Sequence, residues 1–211
     1  MKSKIILIIC VFLLASCSSP EEPTVELFSG SPEELVCQEE DLPGTYLLIE
    51  DLSGERPNEE LSLNNENPED SEKYIQATER LSGWENRFML LETTDTLPGF
   101  VLCQVVKFGS SEGASTALNW PVNENREVLE AEGQLGDAMT FTKISFKAPD
   151  ESTWIDYRVE FTYKNMLGAV STYAPENIAT QEFALEIAET LMNKFSNPSK
   201  LDHQTPESIE N

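Results

Sequence analysis

The strongest constraint on the fold is a nine-residue stretch in which apolar and polar side chains alternate strictly. From Ile155 to Tyr163 every odd position is apolar and every even position is polar. Since neighbouring side chains of a strand point to opposite faces, this period of two predicts a strand with one buried and one solvated face. Asn165 follows at a predicted turn, and Met166 to Tyr173 lies close enough to pair back as an antiparallel hairpin.

Other segments add strands and helices to this hairpin. Phe100 to Phe108 is apolar on both faces apart from Gln104 and Lys107, which predicts a strand covered on both sides. Weaker strand patterns cover residues 46–49, 87–93 and 139–147. Capping residues, proline at first helical positions and three- to four-residue apolar spacing predict helices at 32–38, 68–81, 111–120 and 184–195. This order indicates one α+β domain, with an antiparallel sheet of about five to six strands packed against two to four helices.

The N-terminus has the features of an export signal. Two lysines precede an uninterrupted apolar run from Ile5 to Ala15, which is too short to cross a bilayer as a helix. The run ends in Leu14-Ala15-Ser16-Cys17, which resembles the lipobox of bacterial lipoproteins. This resemblance implies that the chain is cleaved before Cys17 and that the Cys17 thiol carries a diacylglyceryl group. The alternative is a plain secretory signal with an unrelated cysteine.

These features predict four parts of the chain. Residues 1–16 are a lipoprotein signal peptide, 17–31 the acylated cysteine and an acidic tether, 32–196 an extracytoplasmic domain, and 197–211 a disordered tail. Removal of the two lysines of the signal leaves 12 basic against 38 acidic side chains, a balance of −26. Anionic lipid headgroups would repel such a domain, so the lipid must supply the attachment to the bacterial cell envelope. Whether the inner or the outer membrane carries it is left open.

Four short segments of the predicted domain follow one another in an order that resembles extracytoplasmic lipoprotein domains. They are Phe108 to Ala114, Leu135 to Ala138, the hairpin from Tyr157 to Tyr173, and the helix from Ala184 to Phe195. The order is similar to the sensor-type domains outside some bacterial kinases, the PknH-like group, and to PsbP-like lipoproteins, over roughly residues 42–196. The resemblance implies a compact α+β domain used for binding or sensing, and it brings no catalytic motif with it.

Composition excludes several classes of function. The chain has 14 Lys and Arg against 38 Asp and Glu, a formal charge of −24. Because binding of a polyanion requires clustered basic side chains, nucleic acid is not an expected partner. The single histidine, His203, lies in the predicted tail, which excludes a site built from several imidazoles. The sequence has no glycine-rich phosphate loop and no nucleophile elbow, so we expect no cofactor. The stretch from Asn64 to Asp70 has oxygen ligands but lacks the spaced Asp and central Gly of a calcium loop, so we expect no metal.

Two cysteines of the predicted domain, Cys37 and Cys103, are candidates for a disulfide. An even number of cysteines in an exported domain permits a bridge. With 65 residues between them, it would stabilise the fold by about 4 kcal/mol in the chain-entropy model. The alternative is that Cys103 is a small buried side chain of its strand and Cys37 a surface thiol.

Trp154 is the candidate aromatic of a binding face. It lies just before the alternating strand, in phase with the polar side chains Asp156, Arg158 and Glu160, so we expect it to face outward with them. The most economical function is therefore a non-catalytic, membrane-anchored domain that binds or senses an envelope protein or a glycan. The alternative is a carboxylate-dependent hydrolase of cell-wall or environmental glycans, which would need two facing carboxylates in a deep cleft. A third reading is an accessory subunit of an envelope complex.

Overall fold

The computed structural model describes residues 27–64, 68–92, 94–121 and 125–197. The predicted signal peptide, Cys17, most of the predicted tether and the C-terminal tail with His203 lie outside the described residues. The last residues of the predicted tether are part of the domain surface. The backbone N–H of Phe28 donates to Asn165 Oδ1 at 2.7 Å, and Lys107 Nζ donates to the carbonyl oxygens of Ser29 and Gly30 at 3.1 and 3.0 Å.

An antiparallel sheet of eight strands forms the centre of the domain. The strands are β1 Tyr46–Leu48, β2 Gly54–Glu55, β3 Arg80–Leu90, β4 Phe100–Phe108, β5 Glu127–Val128, β6 Ala138–Lys147, β7 Thr153–Tyr163 and β8 Met166–Pro175. In space their order is β1-β3-β4-β8-β7-β6-β5, and β2 pairs with β3. β4 therefore lies inside the sheet, as its apolar sequence predicted.

Five α-helices accompany the sheet within the described ranges. They are α1 Pro32–Leu35, α2 Asn58–Asn64, α3 Pro68–Thr78, α4 Ser111–Leu118 and α5 Gln181–Ser196. The predicted class, a single α+β domain on an antiparallel sheet, is confirmed, but the predicted numbers of strands and helices were too low. The elements without a prediction are α2 and the two-residue strands β2 and β5, and a strand of two residues cannot display a period of two.

The β7–β8 hairpin confirms the strongest prediction. The strands pair over their whole length, from Trp154 opposite Pro175 to Tyr163 opposite Met166. Asn165 completes the two-residue turn, and its side-chain amide donates to the carbonyl oxygen of Phe108 at 2.8 Å. The hairpin turn is thereby tied to the end of β4.

The predicted end of the third helix was wrong. We expected a helix to residue 81 closed by Gly83, but α3 ends at Thr78 and β3 begins at Arg80. Glu79 between them has a φ of 54°, a left-handed conformation that reverses the chain. Gly83 has another role: a Cβ at this position would collide with the Arg80 guanidinium. The glycine thus permits a close approach inside a strand instead of ending a helix.

The two faces of the sheet are covered differently. The inner face packs against α1 and α5 around a core that includes Val105, Val159, Phe161 and Leu191. On the outer face, a second cluster joins Val106, Phe108, Leu167 and Ala169 of the sheet to three residues of α4, which are Ala114, Ala117 and Leu118. We call this helix-covered part of the outer face the covered end. The part around Phe100 and Tyr173, at the other ends of β4 and β8, is called the open end.

Candidate functional site

The open end contains a pocket of about 370 Å³. This volume lies within the range of about 300 to 1,000 Å³ that is usual for small-molecule sites. Its walls are almost entirely apolar and come from five neighbouring strands and one turn. The lining residues are Ile49, Leu52, Arg87, Phe88, Phe100, Val101, Leu102, Phe146, Trp154 and Tyr173. We call this site the aromatic pocket.

Strand register brings four of the five aromatic lining residues together on the outer face. Phe100 of β4 is paired with Tyr173 of β8, and Trp154 of β7 is paired with Phe146 of β6. Because β7 and β8 are neighbours, the two pairs lie side by side on the outer face. Cross-strand aromatic neighbours of this kind offer a broad, stiff apolar surface at little conformational cost.

A short turn after β1 forms another wall of the pocket. Residues Glu50–Leu52 make one 3-10 turn, which places Ile49 and Leu52 beside the sheet. The backbone N–H of Ile49 donates to the carbonyl oxygen of Arg87 at 2.8 Å, and the backbone N–H of Arg87 donates to Ser53 Oγ at 3.0 Å. These two bonds fix the turn against β3, so this wall is built into the fold.

Large apolar side chains extend from the pocket onto the surface. Phe100 and Phe146 are each 41% exposed although they line the pocket. Met89 is paired with Phe100, and Leu47 is paired with Met89, so an exposed apolar row crosses β4, β3 and β1. A contiguous apolar surface of this kind marks a binding site more often than isolated exposed side chains do.

Arg87 is the charged residue of the pocket lining. Its Nε donates to Glu85 Oε1 at 2.7 Å, and the same oxygen accepts a longer bond of 3.3 Å from Arg56 Nη2. The side chain of Glu85 is only 8% exposed, whereas that of Arg87 is 42% exposed. Among the described residues, Nη1 and Nη2 of Arg87 have no hydrogen-bond partner. The guanidinium is therefore held through Nε, while its two terminal nitrogens remain available to bond another group.

A buried ion pair lies next to the pocket. Asp156, which is paired with Tyr173 across the strands, accepts a 2.8 Å bond from Arg126 Nη1. We expected Asp156 to face solvent or a partner, but it is only 4% exposed, since Arg126 lies over β7 and also bonds Thr142 Oγ1 at 2.9 Å. Arg126 Nη2 and Asp156 Oδ1 are buried without a partner among the described residues. The polar face of β7 is thus partly buried inside the domain.

Burial changes the proton affinity of the one phenol in the pocket. Burial raises the pKa of Tyr173, and the neighbouring Asp156 carboxylate raises this pKa further. The Tyr173 hydroxyl is therefore neutral at physiological pH and can serve as a hydrogen-bond donor at the edge of an apolar site. It does not supply a negative charge to the pocket.

The other outward positions of β7 are only partly exposed. Arg158 Nη2 pairs with Glu160 Oε1 at 2.8 Å, and Arg158 Nη1 donates to Ser171 Oγ at 3.3 Å. The predicted buried partners on the opposite face, Tyr157, Val159 and Phe161, are confirmed as core residues. The alternation therefore predicted which side chains share a face. The alternation did not predict that neighbouring elements would cover much of the polar face of β7.

The candidate residues taken from the sequence occupy separate places. Trp154 is half-buried in the aromatic pocket, with its Nε1 donating to Ser152 Oγ at 3.1 Å. Cys37 and Cys103 are joined by a disulfide with a Cα–Cα distance of 5.9 Å, and both are fully buried outside the pocket lining. Cys17 lies outside the described residues. The described part of the chain has no cluster of His, Cys, Asp and Glu able to hold a metal ion.

Sequence reasoning missed most of the aromatic pocket. Phe100, Phe146, Tyr173 and Arg87 each sit near a strand end, where the sequence gives no unusual signal. An inspection of apolar residues at strand ends in the outward phase would have found three of them, but only with the strand order known. Among the described residues, every helix is too short or too polar to pass through a bilayer.

No known protein family and no curated protein matches this chain. Among solved structures, the chain is similar to the extracellular domain of PknH from Mycobacterium tuberculosis, with a TM-score of 0.47 and 13% sequence identity. The match covers 80% of this chain and 97% of that one.

Proposed function

We propose that this protein is a lipid-anchored extracytoplasmic domain that binds a small, largely apolar molecule in the aromatic pocket without transforming it. The observation that carries this proposal is the pocket itself, about 370 Å³ in volume, with four aromatic side chains on adjacent strands. Solvated apolar surface of this size is costly to maintain, so its presence on a well-packed sheet points to a ligand that covers it.

The disulfide supports the proposed location. Cys37 and Cys103 are bonded across a sequence separation of 66 residues. Bonds of this kind persist in oxidising compartments outside the cytoplasmic membrane and are rare inside the cell. An exported domain is the simplest setting for such a bond, in keeping with the signal-like N-terminus.

The attachment of the N-terminal segment supports a position of the pocket far from the tethered end of the domain. Phe28 is bonded to the β7–β8 turn, which lies at the end of the strands away from the aromatic pocket. From Met166 near that turn to Tyr173 in the pocket, β8 rises about 23 Å. A lipid on Cys17 would hold the domain through this segment, which leaves the aromatic pocket at the opposite end free to meet its ligand.

The glycan-hydrolase alternative stays a prediction, and no specific observation favours it. Glu85 and Asp156, two carboxylates on strands that line the pocket, are each engaged by arginine. Hydrolysis of a glycoside by paired carboxylates requires one of them to act as an acid and the other as a base or nucleophile.

The anchor is tested in a bacterial host by detergent phase partitioning. We expect the full-length protein to enter the detergent phase and Cys17→Ser to accumulate as uncleaved precursor, because serine lacks the thiol that is alkylated. Equal aqueous partitioning of both forms would contradict the lipid anchor.

The pocket is tested with N-phenyl-1-naphthylamine, a neutral aromatic probe whose fluorescence rises in apolar surroundings. We expect the purified protein to bind this probe and Trp154→Ala to weaken the binding by about tenfold, since the indole is a wall of the site. Leu81→Ala is the control, because Leu81 is an exposed apolar residue outside the pocket lining. Equal binding by all three proteins would refute the proposed site.

A further inference from the structure

We propose that the aromatic pocket selects an anionic amphiphile, a molecule whose apolar body fills the pocket and whose carboxylate, sulfonate or phosphate group pairs with Arg87. This inference rests on the proposed function and names the chemistry of its ligand. It is unexpected from composition, because a chain with a formal charge of −24 should repel anions at long range.

The charges beside the pocket do not balance. Arg56 and Arg87 share a single carboxylate, that of Glu85, whose Oε1 accepts both bonds. The other oxygen of Glu85 accepts only a neutral donor, Gln104 Nε2, at 3.4 Å. Two guanidinium groups and one carboxylate leave one positive charge without a partner in this cluster. The charge of this cluster is therefore opposite in sign to that of the chain.

Arg87 brings a positive charge to the pocket lining. Glu85 engages its Nε, so the two terminal nitrogens, Nη1 and Nη2, are not used by this ion pair. Two terminal nitrogens of a guanidinium can bond both oxygens of one carboxylate or phosphate. The backbone bonds of Arg87 to Ile49 and Ser53 hold the base of the side chain in place.

Acidic residues at the rim oppose this charge only weakly. Glu50 and Asp51 lie on the turn beside the pocket, and both are exposed to solvent. Water and salt screen such charges, whereas a group bound inside the apolar lining interacts with Arg87 in a lower dielectric. The contact with Arg87 therefore decides the sign of the preferred ligand.

The ligand also needs a substantial apolar body. Arg87 and Tyr173 are the two pocket-lining side chains with polar groups apart from the Trp154 indole, and the remaining lining is aliphatic or phenyl. The exposed row of Phe100, Met89 and Leu47 continues this surface beyond the pocket. A free inorganic anion would leave all of this surface in water, whereas an amphiphile covers it.

A matched pair of fluorescent probes separates the two contributions. 1-Anilinonaphthalene-8-sulfonate has the same aromatic body as N-phenyl-1-naphthylamine and adds one sulfonate. We expect Arg87→Gln to weaken binding of the sulfonate probe by about tenfold, as loss of a charge-assisted hydrogen bond implies, and to leave binding of the neutral probe within about twofold. Arg87→Lys, which keeps the charge, should retain most of the affinity for the sulfonate.

Lys73→Gln is the control for the loss of a positive charge. Lys73 lies on α3, is largely exposed and is not part of the pocket lining. It should bind both probes as the unmodified protein does. Circular dichroism and urea titration of each variant identify those that fail to fold, because partly folded chains bind the sulfonate probe without any specific site.

The results distinguish this inference from the proposed function. If the neutral probe binds and Trp154→Ala weakens it while Arg87→Gln leaves the sulfonate probe unaffected, the anionic preference is wrong and the apolar site stands. If the folded protein binds neither probe, both proposals fail. A loss of sulfonate affinity in Lys73→Gln equal to that in Arg87→Gln would also overturn the assignment to Arg87.

Competition experiments distinguish the sources of such a ligand. Laurate offers an acyl chain with a carboxylate, and 1-naphthoate offers an aromatic ring with the same group. Displacement of the sulfonate probe by either acid supports the proposal, and the stronger competitor identifies the class of body. If inorganic phosphate displaces the probe at the same concentration as the acids, or if neither acid displaces it, the amphiphile assignment is overturned.

Discussion

The covered end and the open end of the outer face are built from the same strands but differ in how deeply their side chains are buried. At the covered end, Val106 and Leu167 are buried beneath α4. At the open end of the same two strands, Phe100 is 41% exposed and Tyr173 is only half-buried. The two ends share one register and one side of the sheet. Their difference therefore comes from what packs above them.

The sizes of the side chains at the two ends explain why a helix covers only one of them. α4 presents Ala114 and Ala117 to the sheet, and these small residues let the helix approach closely. Gly113 of the same helix lies so near the carbonyl oxygen of Thr78 in α3 that a Cβ would collide with it. The open end instead has large rings and a single 3-10 turn at one side. Small residues of α4 thus permit close cover at one end, whereas the large rings at the other end stay partly exposed.

We expect the largest loss of stability from a substitution at the inner face, where side chains are completely buried. Phe161 is fully buried and packs against Phe195 with ring centroids 5.4 Å apart. We expect Phe161→Ala to lower the free energy of unfolding by about 3 to 5 kcal/mol, measured by urea denaturation. A loss under about 1 kcal/mol would mean that the inner face is not the core.

The covered end should respond less strongly. Leu118 is buried between α4 and the sheet. Leu118→Ala should cost about 2 to 3 kcal/mol of unfolding free energy, toward the lower part of the range for buried leucine because this cluster is small. Thr116→Ala on the same helix, at a partly exposed position, is the control. Equal stability of the two variants would remove the distinction between the two ends.

The open end should contribute more to binding than to stability. Trp154 is only half-buried, so Trp154→Ala should lower the free energy of unfolding by about 1.5 kcal/mol while it weakens binding of the neutral probe. Urea denaturation and probe titration of the same sample measure both effects. If Trp154→Ala unfolds the domain and Phe161→Ala does not, the assignment of core and binding face is inverted.

The smallest effect concerns the loop that leads into the open end. The Tyr46 hydroxyl donates to the carbonyl oxygen of Pro98 at 2.8 Å, just before β4, and burial raises the pKa of Tyr46 above its ordinary value of 10.0. Tyr46→Phe should cost about 1 kcal/mol at neutral pH through the lost hydrogen bond. Urea denaturation at pH 7 measures this loss.

The same residue predicts a dependence on alkaline pH. Because the pKa of Tyr46 is higher in the folded state, the stability linked to its protonated form is fully present below pH 10.0 and falls as the pH rises above that value. Tyr46→Phe lacks this contribution, so its deficit should shrink in alkaline solution. A deficit that stays constant through this range would contradict the raised pKa.

Most of the long elements could be predicted from local pattern. The alternation from Ile155 to Tyr163 indicated both the strand and its buried face, and the apolar run of β4 indicated a strand inside the sheet. α5 begins after Thr180, whose side chain accepts from the Phe183 N–H, and threonine is a residue type that favours this capping position. These features depend on spacing within one segment, and the physics that produces them acts over a few residues.

The aromatic pocket could be predicted only in part. Trp154 was identified because it shares the phase of the polar side chains of β7, but its neighbours Phe100, Phe146 and Tyr173 were not. Their sequence positions do not indicate that β6 lies beside β7 or that β4 lies beside β8. The burial of Asp156 was missed for a similar reason, since its partner Arg126 lies 30 residues away in the chain.

Local spacing was thus sufficient for the class of fold, the hairpin and the inward side of the main strands, because each of these follows from backbone geometry over a few residues. Which part of each sheet face is covered by other elements could be known only from the tertiary structure. Strand order brings Phe100 to Tyr173, and α4 closes one end of the outer face while leaving the other open. Packing between distant segments decided where an apolar surface became core and where it became a site, since burial depends on what else the folded chain places above a side chain.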